Sequence, residues 1–99
     1  MKIWAKIITD HRIQSEVVQE FASARPVHLD AWTPVITSLV KPLDLAVPVI
    51  LPKHISELKK FGRTTFKSQD FMESVEFDAF EIEIFPEKKK ETKVEYFYN

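Results

Sequence analysis

Residues 2–21 read Lys2-Ile3-Trp4-Ala5-Lys6-Ile7-Ile8-Thr9-Asp10-His11-Arg12-Ile13-Gln14-Ser15-Glu16-Val17-Val18-Gln19-Glu20-Phe21, and the conformation of this stretch decides the fold. In an extended chain side chains alternate between two faces. Ile3, Ala5 and Ile7 then share one side, with Trp4 and Ile8 on the other. That pattern, rich in β-branched side chains, predicts a strand over residues 2–9 with both faces partly covered. Asp10-His11-Arg12 is a polar break. Beyond it Ile13, Ser15, Val17, Gln19 and Phe21 alternate against Gln14, Glu16, Val18 and Glu20. Ile13, Val17 and Phe21 also fall at i, i+4 and i+8, the spacing of a helix face. The β-branched content and the short break favour a second strand over 13–20, paired with the first as a hairpin.

Working outward, residues 22–28 read as a loop around Arg25-Pro26. Asp30 is the expected N-cap of a helix running to about Leu43. Trp32, Val35, Ile36, Leu39, Val40 and Leu43 form its apolar stripe. Pro34 is expected in the first turn, where proline is tolerated, and Pro42 at the end. Val47-Pro48-Val49-Ile50-Leu51-Pro52 predicts a short buried extended segment. A second helix is expected over 53–61, with Ile55, Leu58 and Phe61 inward. Gly62, the only glycine, is expected as its left-handed C-cap. Residues 63–74 read as a connector anchored by Phe66, Phe71 and Met72. A strand follows at Phe80–Phe85, with Glu81 and Glu83 outward, and the change of apolar phase places a bulge or turn at Asp78–Ala79. Antiparallel strands with two helices on one face describe an α+β two-layer sandwich, here a single domain over residues 1–99.

The chain has 99 residues, 44% of them hydrophobic, with a net charge of −1. That supports a folded core and excludes compositional disorder. It also supplies no overall field for nucleic acid or anionic lipid. With no cysteine, thiolate zinc, disulfides and thiol nucleophiles are excluded. One glycine excludes a Gly-rich phosphate loop. No window approaches the about 20 apolar residues of a membrane span. The first residues are too charged for a signal peptide. A soluble, cytoplasmic protein is the expectation.

Several runs together carry a resemblance. These are Val49-Ile50-Leu51-Pro52-Lys53-His54, Phe61-Gly62-Arg63-Thr64-Thr65-Phe66, Asp70-Phe71, and Phe77-Asp78 ahead of Glu81-Ile82-Glu83, with the opening Lys2-Ile3-Trp4-Ala5-Lys6-Ile7-Ile8. The pattern resembles a family of small uncharacterised bacterial proteins with no assigned activity. It implies a stand-alone cytoplasmic protein and carries no catalytic residue over to this chain.

The best cluster for chemistry is His54, Arg63, Thr64, Thr65 and Asp70, on either side of the glycine-ended helix. A guanidinium and a pair of hydroxyls suit a carboxylate or phosphate, and His54 titrates near neutral pH. Against this stands a structural reading in which Arg63 and Asp70 form an ion pair that fixes the loop, and His54 sits exposed on the first helical turn. His11, His28 and His54 match no metal-ligand spacing, so no metal and no cofactor is expected. None of the serines has the context of a nucleophile elbow, so no catalytic residue is assigned. Lys88-Lys89-Lys90 with Lys93 is offset by Glu87, Glu91 and Glu95, which argues against nucleic acid. Tyr96, Phe97 and Tyr98 form a terminal aromatic cluster that suits an interaction surface. The expectation is a binding protein that acts through self-association, as a homodimer, or through a protein partner. The alternative is a small enzyme or anionic-ligand binder built on Arg63, His54 and Asp70.

Overall fold

The computed structural model describes residues 1–22 and 24–86. The expected contacts of Tyr96, Phe97 and Tyr98 lie outside these residues. The fold is α+β, with strands β1 (Lys2–Thr9), β2 (Arg12–Glu20), β3 (Arg63–Lys67) and β4 (Ala79–Ile84) and helices α1 (Leu29–Val40) and α2 (Pro52–Phe61). The four strands form one antiparallel sheet in the order β2-β1-β4-β3.

The opening stretch is a hairpin, with Lys2 opposite Glu20 and Thr9 opposite Arg12. Asp10 and His11 link the strands with φ of 54° and 64°. Positive φ at both central residues is what a type I′ turn requires, and its twist matches that of the strands. The strain of two non-glycine residues there is partly offset by the Asp78 carboxylate, which accepts the Asp10 N–H at 2.9 Å. Register shifts between Ile7 and Ile8, where β2 carries one extra residue.

Alternation then sorts the sheet. Ile3, Ala5 and Ile7 of β1, Phe80, Ile82 and Ile84 of β4, and Phe66 of β3 join one buried cluster with Trp32, Val35, Ile36, Leu39 and Val40 of α1 and Leu58 of α2. The expected α1 stripe is therefore the core stripe, with Leu43 half-buried beside it. The α1 helix is tied to neighbouring segments by polar bonds as well. Ser38 Oγ donates to Gln19 Oε1 at 2.9 Å, and Trp32 Nε1 donates to Pro26 O at 3.1 Å.

Several boundaries differ from the sequence reading. His28, not Asp30, is the N-cap of α1, and Asp30 lies in the first turn, where its charge suits the helix dipole. Pro34 consequently falls in the second turn and supplies no N–H to the Asp30 carbonyl. The helix ends at Val40, and Lys41–Leu43 is a 3-10 turn started by Pro42. The stretch 47–52 is no strand. Pro48 is buried while Val47, Val49 and Leu51 are exposed, and the Val49 N–H reaches Asp70 O at 2.8 Å. Phe61 is 70% exposed and Met72 89% exposed, so neither anchors the core. Phe66 and Phe71 are the buried anchors of 63–74, as expected, and His54 and Phe77 are buried beside them. The connector expected at 63–74 contains β3 and a 3-10 turn at Ser68–Asp70.

Candidate functional site

The α2 helix begins with proline at its first position and lacks a side-chain cap, because Leu51 offers no side-chain oxygen. His54, at the third helical position, supplies half of a capping box instead. Its Nδ1 accepts the Leu51 N–H at 2.9 Å, and its own N–H reaches Leu51 O at 2.9 Å. An acceptor at Nδ1 puts the proton of the neutral ring on Nε2. Nε2 faces Asp70 Oδ2 at 3.7 Å, an ion-pair distance but longer than a hydrogen bond. It is buried and has no hydrogen-bond partner among the described residues. The ring packs against Phe66, centroids 4.2 Å apart. Asp70 in turn accepts the Lys67 N–H at 2.9 Å.

Burial lowers the pKa of His54 from its ordinary 6.5. The nearby Lys53 charge acts in the same direction, while Asp70 and Glu57 oppose it. The neutral ring is therefore the form the fold favours. Fully enclosed, with one nitrogen committed to the backbone and the other turned to Asp70, His54 presents no nitrogen to a ligand. Its place is that of a latch between the start of α2 and the turn after β3.

The five candidate residues do not converge. His54 and Asp70 form the latch. Thr64, on the core side of β3, is buried and donates its hydroxyl to Glu57 on α2. Arg63 and Thr65 fall on the opposite face of β3 by alternation, opposite Glu83 and Glu81. The expected Arg63–Asp70 ion pair is not formed; the Asp70 carboxylate faces the neutral His54 ring instead. Arg63 makes no hydrogen bond or ion pair among the described residues. It lines an open groove of about 510 Å³ with Glu57, Phe61 and Glu83. A guanidinium there, with an exposed phenyl ring beside it, suits a small carboxylate or phosphate.

A second site lies on the sheet face away from the core cluster. Lys6 is the central residue of that face and is only 7% exposed. Its ammonium lies 3.2 Å from Glu83 Oε1 and 3.6 Å from Glu81 Oε1. It also sits 3.8 Å from the Trp4 ring centroid, a close cation–π contact. Trp4 Nε1 donates to Glu16 Oε1 at 2.7 Å, and the Trp4 ring stacks on Phe85. Around this fixed polar centre stand the exposed Ile13 and Val18. By alternation alone Glu81 and Glu83 read as a solvated row. The sequence signal for this site is Lys6, a lysine set within the apolar run Ile3 to Ile8.

Among the described residues no three of His, Cys, Asp or Glu gather closely enough to hold a metal ion. No described helix is long and apolar enough to cross a membrane. Comparison with protein-family models, curated proteins and solved structures returned no match.

Proposed function

We propose that this is a small binding protein that acts through protein contacts, either with its own copies or with a protein partner, on the open face of its sheet. The observation behind this reading is the make-up of that face. Val18 is 52% exposed and Ile13 47% exposed, beside the stacked pair Trp4 and Phe85. Aromatic and aliphatic groups around a desolvated, paired charge resemble the anchor of an interface more than a solvated strand row. Glu81, Glu83 and Trp4 hold Lys6 in place, so little side-chain order remains to be imposed on binding.

The test uses Val18→Lys, an exposed strand position that tolerates charge. Light scattering reads self-association, and capture from the native cell reads a partner. The parent chain should form a complex in at least one of the two, and Val18→Lys in neither. Complexes unchanged by Val18→Lys would overturn the proposal.

A second reading is supported by Arg63, which has no hydrogen-bond or ion-pair partner among the described residues and lines an open groove. There the chain binds a small anion, without acid–base work from His54. We place it second because the groove is open and its two carboxylates, Glu57 and Glu83, are repulsive to an anion.

A further inference from the structure

Residues 45–51 join the 3-10 turn after α1 to the start of α2 with no helix or strand of their own. Two N–H groups of this segment are bonded to the two residues of the latch. Val49 N–H reaches Asp70 O at 2.8 Å, and Leu51 N–H reaches His54 Nδ1 at 2.9 Å. Pro48 is buried and Ile50 packs half-buried against the core, while Val47, Val49 and Leu51 point outward. The segment therefore lies across the molecule as a strap. Before it the backbone turns at Asp44, with φ of 58°, and after it Pro52 opens α2.

The fastening depends on the charge state of one ring. Nδ1 must be bare to accept the Leu51 N–H. Nε2 is buried without a hydrogen-bond partner among the described residues, so the neutral ring already leaves one donor unmet there. The charged groups facing the ring are Asp70 in the turn after β3 and Lys53 and Glu57 on α2, while β3 presents the uncharged ring of Phe66. A proton on Nδ1 sets two N–H groups against each other at Leu51. It also turns the 3.7 Å approach of Nε2 to Asp70 into a full ion pair. Because His54 is fully buried and burial disfavours its charged form, the proton is taken up as the strap opens rather than in the closed state.

We propose that residues 45–51 form a strap that a single proton on His54 unlatches, while the sheet and α1 stay folded. Val49 and Leu51 leave together, because the same His54–Asp70 pair carries both bonds. This device is separate from the open face of the sheet, and neither reading depends on the other.

Amide hydrogen exchange of the full chain across pH 5 to 8, corrected for intrinsic rates, tests it. Val49 and Leu51 should share one protection factor, about tenfold or more below those of Ala5 on β1 and Leu39 on α1, and almost insensitive to sub-denaturing urea. That factor should be constant above pH 6.5 and fall by up to about tenfold per pH unit below it, the slope of one proton. Nitrogen-15 signals of the His54 ring should show a bare Nδ1 and a protonated Nε2 at pH 7.5 and convert to the charged ring over the range in which the strap opens. His54→Gln should make the protection of both amides independent of pH in this range. Loss at Leu51 with Val49 unchanged would show fraying of the helix start alone and overturn the proposal. Protection of Val49 and Leu51 as high as that of Ala5, a flat pH profile in the parent, or a slope retained in His54→Gln would do the same. If His54→Gln fails to fold, the parent's exchange profile and ring signals decide the question by themselves.

Discussion

His54 Nδ1 accepts the backbone N–H of Leu51 at 2.9 Å, so a side chain buried in the core closes the first turn of α2. A protonated ring carries hydrogen on both nitrogens and cannot accept that bond. The neutral state of one histidine is therefore a condition for the cap.

This gives a pH dependence with a definite sign. The folded pKa of His54 is lowered from 6.5, first by burial. Between the two values the unfolded chain binds more protons than the folded one, so stability falls as pH drops below about 6.5. Above 6.5 this contribution is complete and flat. His54→Gln keeps a side-chain acceptor at the third helical position and removes the titration. Urea denaturation of parent and variant across this range checks it. The variant's stability should lose the part of the slope that His54 supplies, and equal slopes would show that His54 is not the titrating group.

Gly62 ends α2 with φ of 74° and donates its N–H to Leu58 O at 3.0 Å. A Cβ placed there would meet only Ile84 O at 3.9 Å, an ordinary contact. The cost of Gly62→Ala is thus backbone strain alone, about 1 kcal/mol. A lower denaturation midpoint with an unchanged slope is expected.

Lys6 tests the open face as a structural unit. Lys6→Met removes the cation held by Glu81, Glu83 and Trp4 and leaves two carboxylates without their shared partner. Removing one member of a buried pair costs about 3–5 kcal/mol. Glu83 is partly open to water, so a loss of about 2 kcal/mol is expected, smaller at high salt. A thermal melt of parent and Lys6→Met in low and high salt measures it.

Arg63 tests the second reading. If its groove holds an anion, phosphate or a small carboxylate raises the melting temperature of the parent by mass action. Arg63→Ala should abolish that shift and leave the unliganded protein folded, since the side chain has no partner to lose among the described residues. No shift in the parent removes the anion reading.

The hairpin was legible because Ile3, Ala5 and Ile7 alternate cleanly and a polar break separates two β-branched runs. Its turn was not legible as a type, because Asp10 and His11 adopt positive φ without a glycine. The α1 stripe and the Gly62 cap were readable because periodicity and φ are local properties. The β3 strand escaped notice. Arg63-Thr64-Thr65-Phe66-Lys67 buries only two side chains, and one is a threonine whose burial depends on Glu57 from another element. His54 escaped for a similar reason. A polar residue on a first helical turn reads as exposed until the chain brings Phe66 and Asp70 around it. Phe61 shows the converse, an apolar residue at helical spacing that the sheet edge leaves uncovered. The candidate cluster was thus close in sequence but is divided in space, because alternate residues of β3 face opposite sides of the sheet.

The most direct test of the central claim is methyl NMR of the full chain, titrated first with itself and then with any partner it captures. The account predicts shifts at the methyls of Ile8, Ile13 and Val18 on the open face, with the core methyls of Ile36, Leu39 and Leu58 and the side-chain signal of Arg63 unmoved. Shifts at Arg63 with the open-face methyls unchanged would contradict it.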